Sequence, residues 1–148
     1  MDVIYLDYNC FQRGFDDPHQ VKIQLEALAC EAIFMKAERK EIKLIWSFMH
    51  EDENTLCPFV ERKAEASRLS FLCQTRMFPD PVIYRLAQSF QRKARLSSKD
   101  AVHLACAARA PSDYFLTCDD ELIKHAQRLS LEMKVMNPVD YIREVVRQ

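Results

Sequence analysis

Glycine is almost missing from this chain of 148 residues, where Gly14 stands alone. A glycine-rich phosphate loop, of the P-loop or the GxGxxG type, needs several glycines and is excluded. Long apolar runs are missing too. No stretch approaches the roughly 20 apolar residues that span a bilayer, so no membrane segment is expected. The six cysteines, at 10, 30, 57, 73, 106 and 118, form no CxxC pair and match no zinc-module spacing. Met1 is followed by Asp2 and a short apolar run, unlike a secretory signal. The expectation is a cytoplasmic protein with free, mostly buried thiols.

What is present is ordinary for a globular chain: 49% apolar and 29% charged residues. The length predicts one domain, 1–148, able to bury roughly 70% of its unfolded surface. Abundant Ala, Leu, Glu, Lys and Arg with scarce Gly favours helix. The net charge of −1 hides an uneven distribution. Residues 1–61 carry 6 basic and 12 acidic side chains, residues 62–99 carry 9 and 2, and residues 100–148 carry 6 and 8. The basic middle attracts phosphate or is a set of solvated helix faces, and composition leaves both open.

Four β-like runs punctuate the chain: Val3 to Leu6, Ile42 to Ser47, Tyr114 to Thr117, and a weaker one at Met133 to Met136. Helical spacing fills the intervals, at about His19 to Lys40, Pro58 to Arg76, Ile83 to Phe90 with its basic end, Ser98 to Ala108, and Asp119 to Leu129. Asn137-Pro138 starts a terminal helix. Strands alternating with helices predict an α/β fold of three layers, α/β/α, helix-rich, around a small parallel sheet of about four strands. In such sheets the ligand site lies beyond the strand carboxyl ends.

Asp7, Glu53 and Asp119 all follow strand ends, and Asp100 joins them if its helix begins on the same rim. Four converging carboxylates repel one another, and a divalent cation resolves the conflict. Hard oxygen donors without thiolates suit Mg²⁺ or Mn²⁺. Such an ion activates water and stabilises a leaving oxygen, which makes the cluster a candidate phosphodiesterase site. Each acid also has a structural explanation. Ser97-x-x-Asp100 and Thr117-x-x-Asp120 are capping boxes, Asp119 can be an N-cap, and Glu51-Asp52-Glu53 can be a solvated face. Asp7, after an apolar strand, is the hardest to explain structurally.

The ordered set Ile4-Tyr5-Leu6-Asp7-x-Asn9, Lys99-Asp100-Ala101-Val102-His103-Leu104-Ala105 and Phe115-Leu116-Thr117-Cys118-Asp119-Asp120 resembles a PIN domain. Within that family it is similar to the VapC-type toxins of toxin–antitoxin pairs and their stand-alone relatives. The resemblance spans essentially the whole chain. It implies a doubly wound parallel sheet, Mg²⁺ or Mn²⁺, and cleavage of single-stranded RNA. Asp7, Asp100 and Asp119 match the family's first, third and fourth acids. For the second, the anchor Ser47 points to Glu53, with Glu51 as runner-up. Asn9, Thr117, His103 and Asp120 would support the acids, and Arg92, Lys93, Arg95 and Lys99 would contact RNA phosphates. The resemblance also implies a homodimer and, for a toxin, an antitoxin that blocks the acidic groove. One departure is Tyr8, where the family often has Thr or Ser; its ring is a candidate base-stacking surface. The alternative is a catalytically silent PIN-like RNA-binding or scaffold module.

Overall fold

The computed structural model describes residues 1–146. Its order is β1 (Val3–Leu6), α1 (Tyr8–Gln12), a 3₁₀ turn (Arg13–Phe15), α2 (Val21–Glu38), β2 (Lys43–Ser47), α3 (Phe48–Leu56), α4 (Val60–Ser70), β3 (Cys73–Met77), α5 (Pro81–Ala94), α6 (Ser98–Arg109), β4 (Tyr114–Leu116), α7 (Asp120–Ala126), β5 (Lys134–Met136), α8 (Pro138–Asp140) and a π-helical turn (Tyr141–Val146). The last two residues of the expected 1–148 domain lie outside the described residues. No helix among those described is long and apolar enough to cross a membrane.

All five strands are parallel, in the order β3-β2-β1-β4-β5. The α/β/α expectation holds, with one strand more than the expected four. Both sheet faces are buried, so the strands read as near-continuous apolar runs. The period of two sorts their side chains. Ile4, Leu6, Leu44, Trp46 and Leu116 face a core shared with α1, α2, α4 and the C-terminal turn. Tyr5, Ile45 and Phe115 face the other core, under α5, α6 and α7.

The additional strand, β3, corrects the helix expected from Pro58 to Arg76. That stretch is α4 followed by an edge strand whose Gln74, Thr75 and Arg76 are exposed. An edge strand with one half-wet face lacks the apolar run that marks the central ones, and its pairing with β2 decides its state. Two helices were also hidden from the sequence. Asp7, directly after β1, is the N-cap of α1, and the acidic cluster Glu51-Asp52-Glu53 lies on α3.

Strand order reverses between β1 and β4. The chain winds outward from β1 through β2 to β3, then returns to β4 on the other side of β1. This reversal leaves a crevice at the strand carboxyl ends.

Candidate active site

Four elements deliver one carboxylate each to that crevice. It is a cleft of about 260 Å³ lined by Asp7, Tyr8, Asn9, Gln12, Glu53, Lys99, Asp100 and Asp119. All four acids singled out in the sequence are in it.

Asp7 follows β1 directly, and its backbone N–H still donates to Leu116 of β4 at 2.8 Å. Its side chain therefore meets the residue after β4. Thr117 Oγ1 donates to Asp7 Oδ2 at 2.7 Å, and Asn9 Nδ2 donates to the same oxygen at 3.2 Å. Oδ1 has no hydrogen-bond partner among the described residues, and Asp7 lines the cleft. Asp7 is only 5% exposed. Burial pushes its carboxyl above the ordinary value, against the opposing pull of His103 and Thr117.

Thr117 and Asn9 hold this corner together, as expected of them. Besides donating to Asp7, Thr117 Oγ1 accepts from Asn9 Nδ2 at 3.2 Å and from the backbone N–H of Asp119 at 3.1 Å. Asn9 Oδ1 accepts from the backbone N–H of Cys118 at 3.2 Å. Asp119 is the N-cap of α7, with Oδ1 accepting from the N–H groups of Glu121 and Leu122. The Thr117-x-x-Asp120 box therefore does not form. Asp120 is corrected as a supporting residue: it is exposed, faces Lys22 at 3.7 Å, and is not among the cleft residues.

Asp100 sits in the first turn of α6. Ser97 Oγ caps that helix by accepting from the Asp100 N–H at 3.1 Å. The Ser97 half of the expected capping box forms, and the Asp100 carboxylate lines the cleft.

Glu53, and not Glu51, is the acid that α3 brings in. Two residues apart on a helix do not share a face. Glu51 Oε2 instead accepts from Trp46 Nε1 at 2.8 Å, and Trp46 is part of the core. Glu53 Oε1 accepts from His103 Nε2, and Glu53 Oε2 pairs with Lys99 Nζ at 3.2 Å. Lys99 and His103 are one turn apart on α6, so one helix face grips both carboxylate oxygens. Burial by itself would raise the Glu53 carboxyl, but His103 and Lys99 outweigh it and hold the group below its ordinary value. Lys99 is held up in turn by Glu53, Asp7 and Asp100 against the effect of burial.

Behind Glu53 runs a network the sequence did not reveal. His103 has no solvent exposure. Its Nδ1 lies 2.6 Å from Tyr5 Oη, which lies 2.7 Å from Ser47 Oγ. With Glu53 ionised, Nε2 carries the proton. In neutral His103, Nδ1 then accepts from the Tyr5 hydroxyl, and Tyr5 accepts from Ser47. His50 extends the support. Its Nδ1 accepts from the Ser47 N–H at 2.9 Å and its Nε2 donates to the Leu6 carbonyl at 2.6 Å. Burial, with His103 nearby, pushes His50 far below its ordinary value, so it stays neutral. Ser47 and His50 have capping-box spacing, which was a visible signal. The link from Tyr5 to His103 joins residues 98 apart and left none.

Tyr8 is buried and its hydroxyl donates to Asn54 Oδ1 at 2.7 Å, so its ring is held in the wall and is not free to stack on a base. Gln12 Nε2 donates to the same hydroxyl at 3.1 Å. Arg92, Lys93 and Arg95 are exposed at the end of α5, just before α6, and none lines the cleft. Lys99 does line it, largely exposed, with Nζ paired to Glu53.

The four carboxylates are the hard donor type that Mg²⁺ or Mn²⁺ takes, but the close-set ligand atoms among the described residues, within 4.8 Å of one another, are cysteine sulfurs and not these acids, so the carboxylates would have to draw together around an ion. In comparisons with known proteins, no protein-family model matches the chain, and no curated protein matches it.

Proposed function

We propose that this protein is a PIN-type, metal-dependent endoribonuclease that cleaves single-stranded RNA. One observation carries the reading. Asp7, Glu53, Asp100 and Asp119, from four separate elements, line one cleft at the carboxyl ends of the strands where strand order reverses. A bound Mg²⁺ or Mn²⁺ would supply an activated water and a counter-charge for the leaving oxygen of the phosphodiester.

The chain's own residues prepare the site. Thr117 and Asn9 fix Asp7 through Oδ2 and leave its other oxygen without a partner among the described residues. His103, backed by Tyr5, fixes the rotamer of Glu53. Asp119 is held by its N-cap bonds to α7. Arg92, Lys93 and Arg95 offer phosphate contacts beside the start of α6. A cytoplasmic location, a homodimer and an antitoxin covering the cleft belong to the same proposal and follow from the resemblance.

A second reading, a silent PIN-like RNA clamp, is favoured by the Lys99–Glu53 pair, which already supplies a cation to the acids. One experiment separates the two. The purified protein is incubated with a mixed single-stranded RNA pool in Mg²⁺, Mn²⁺ or EDTA, beside an Asp7→Asn/Asp100→Asn variant. Metal-dependent cleavage lost in the variant is expected of the nuclease. RNA retention without cleavage, and without metal binding, overturns it in favour of the clamp.

A further inference from the structure

Three of the six cysteines meet in the core. Cys10 comes from α1, Cys30 from α2, and Cys118 from the connection between β4 and α7. Their sulfurs all lie within 4.8 Å of one another, and all three residues are buried. We propose that Cys10, Cys30 and Cys118 form a three-thiolate site for a thiophilic divalent ion of the zinc–cadmium class.

The geometry is close to what such an ion needs. With metal–sulfur bonds of about 2.3 Å, three ligands of a tetrahedral or trigonal site stand roughly 3.8–4.0 Å apart. The cluster needs only a small contraction. Soft sulfur donors select zinc-like ions over Mg²⁺, so this site and the carboxylate cleft take different metals. Three thiolates and a divalent ion leave one negative charge. Lys22 Nζ donates to the Cys118 carbonyl at 3.2 Å, and Lys22 and Arg13 both pair with Glu26, so an ion-paired group borders the Cys118 connection. There is also an access route. A groove of about 550 Å³ between α2 and α4 is lined by Cys10, Cys30, Phe11 and Phe34. No sequence spacing reveals the site, because the ligands lie 20 and 88 residues apart along the chain.

The site adjoins the cleft without belonging to it. Cys118 lies between Thr117 and Asp119, and Asn9 Oδ1 holds its backbone N–H. An ion bound there would pin this connection to α1 and α2. The proposal is independent of the nuclease reading.

The test is a titration of the reduced, full-length protein with Cd²⁺ under anaerobic conditions, read by the ultraviolet thiolate-to-metal charge-transfer band. Carboxylates give no such band, so the cleft is silent. Saturation at one ion per chain is expected, with Cd²⁺ displacing prebound Zn²⁺. Cys30→Ala and Cys118→Ser should each weaken binding by more than the roughly 10–100-fold that loss of an outer partner costs. Cys57→Ser, Cys73→Ser and Cys106→Ser should leave it unchanged. Circular dichroism checks folding, and Cys30→Ala on α2 decides the question if Cys118→Ser does not fold. A folded wild type with no band, or a band that survives Cys30→Ala and disappears with Cys57→Ser, overturns the proposal.

Discussion

His103, wholly buried, donates from Nε2 to Glu53 at the edge of the cleft, while Tyr5 holds its other nitrogen from the sheet. A core hydrogen-bond network therefore ends on a carboxylate that faces solvent. The position of Glu53 depends on β1, α3 and α6 together.

Truncating His103 should therefore cost both stability and site geometry. His103→Ala takes one of two partners from the Tyr5 hydroxyl, which keeps Ser47, and one of two from Glu53, which keeps Lys99, and a lost buried hydrogen bond to a charged group costs about 1.5–3 kcal/mol. Tyr5→Phe removes the link to His103 but leaves the ring packed on Phe115 at 5.3 Å, so a smaller loss, about 1 kcal/mol, is expected. Urea unfolding of both variants and the double variant checks this. Residues in one network should show a coupling energy above about 0.5 kcal/mol, and strict additivity would contradict the network.

Asp7→Asn should trade function for stability. Burial raises the Asp7 carboxyl above its ordinary 3.8, so the folded state binds a proton more readily than the unfolded chain. Metal-free stability then falls as pH rises from 3.8 toward that raised value, and the penalty persists at neutral pH. Asparagine keeps an oxygen for Thr117 and Asn9 and carries no charge to desolvate. In EDTA at neutral pH, the Asp7→Asn variant should have a higher Tm than wild type, with the gap closing on acidification. Its RNA cleavage should fall by more than the roughly 10–100-fold typical of an outer-shell change. A lower Tm in EDTA would show that Asp7 is not strained in this way.

Divalent cation should stabilise the fold through the same acids. At one hundred times Kd, a ligand that binds only the folded state contributes about 2.7 kcal/mol. Mg²⁺ or Mn²⁺ should raise the wild-type Tm, and Asp100→Asn and Glu53→Gln should abolish the rise. Glu51→Gln should keep it, because Glu51 is turned to Trp46. Equal losses from Glu51→Gln and Glu53→Gln would place the cation elsewhere.

Much of this arrangement was legible before the structure. Val3–Leu6, Lys43–Ser47 and Tyr114–Leu116 are central strands covered on both faces, so they announce themselves as apolar runs. Asp7 and Asp119 follow from the strand-end rule once the sheet is parallel, and Asp100 joins them because α6 begins on the same rim. What was hidden depends on tertiary pairing. Strand β3 is polar on its exposed positions, and α3 carries Glu51, Asp52 and Glu53 with little apolar periodicity. Asp120 has the same charge and nearly the same place as Asp119, but the N-cap turn sends it toward Lys22. The choice of Glu53 over Glu51 rests on the rotational phase of a helix the sequence did not show.

Glu26 gives an acid-stability prediction outside the cleft. Its buried carboxylate receives Arg13, Lys22 and Asn137. Burial alone would raise it, but these partners hold it below its ordinary 4.5. A depressed carboxyl stabilises the fold fully above its unfolded value, and that contribution is lost as pH falls through the folded value. Glu26→Gln should destabilise the protein at neutral pH and flatten its loss of stability below pH 4.5. Identical acid-unfolding curves for variant and wild type would contradict this.

Lys99 should behave unlike the other basic residues near it. Arg92, Lys93 and Arg95 have no carboxylate partner among the described residues, so each phosphate contact they make should appear in the salt dependence of RNA binding. Each alanine substitution should reduce the slope of log K against log salt by about 0.7 for single strands. Lys99 is paired to Glu53 within the cleft. Lys99→Ala removes the cation that competes for the acids, so it should bind Mg²⁺ or Mn²⁺ more tightly. Its salt slope for RNA binding should change less than that of the other three. Metal titration by thermal shift, beside RNA binding at several salt concentrations, distinguishes the roles. If Lys99→Ala weakens metal binding, Lys99 orders the acids and does not compete with the ion.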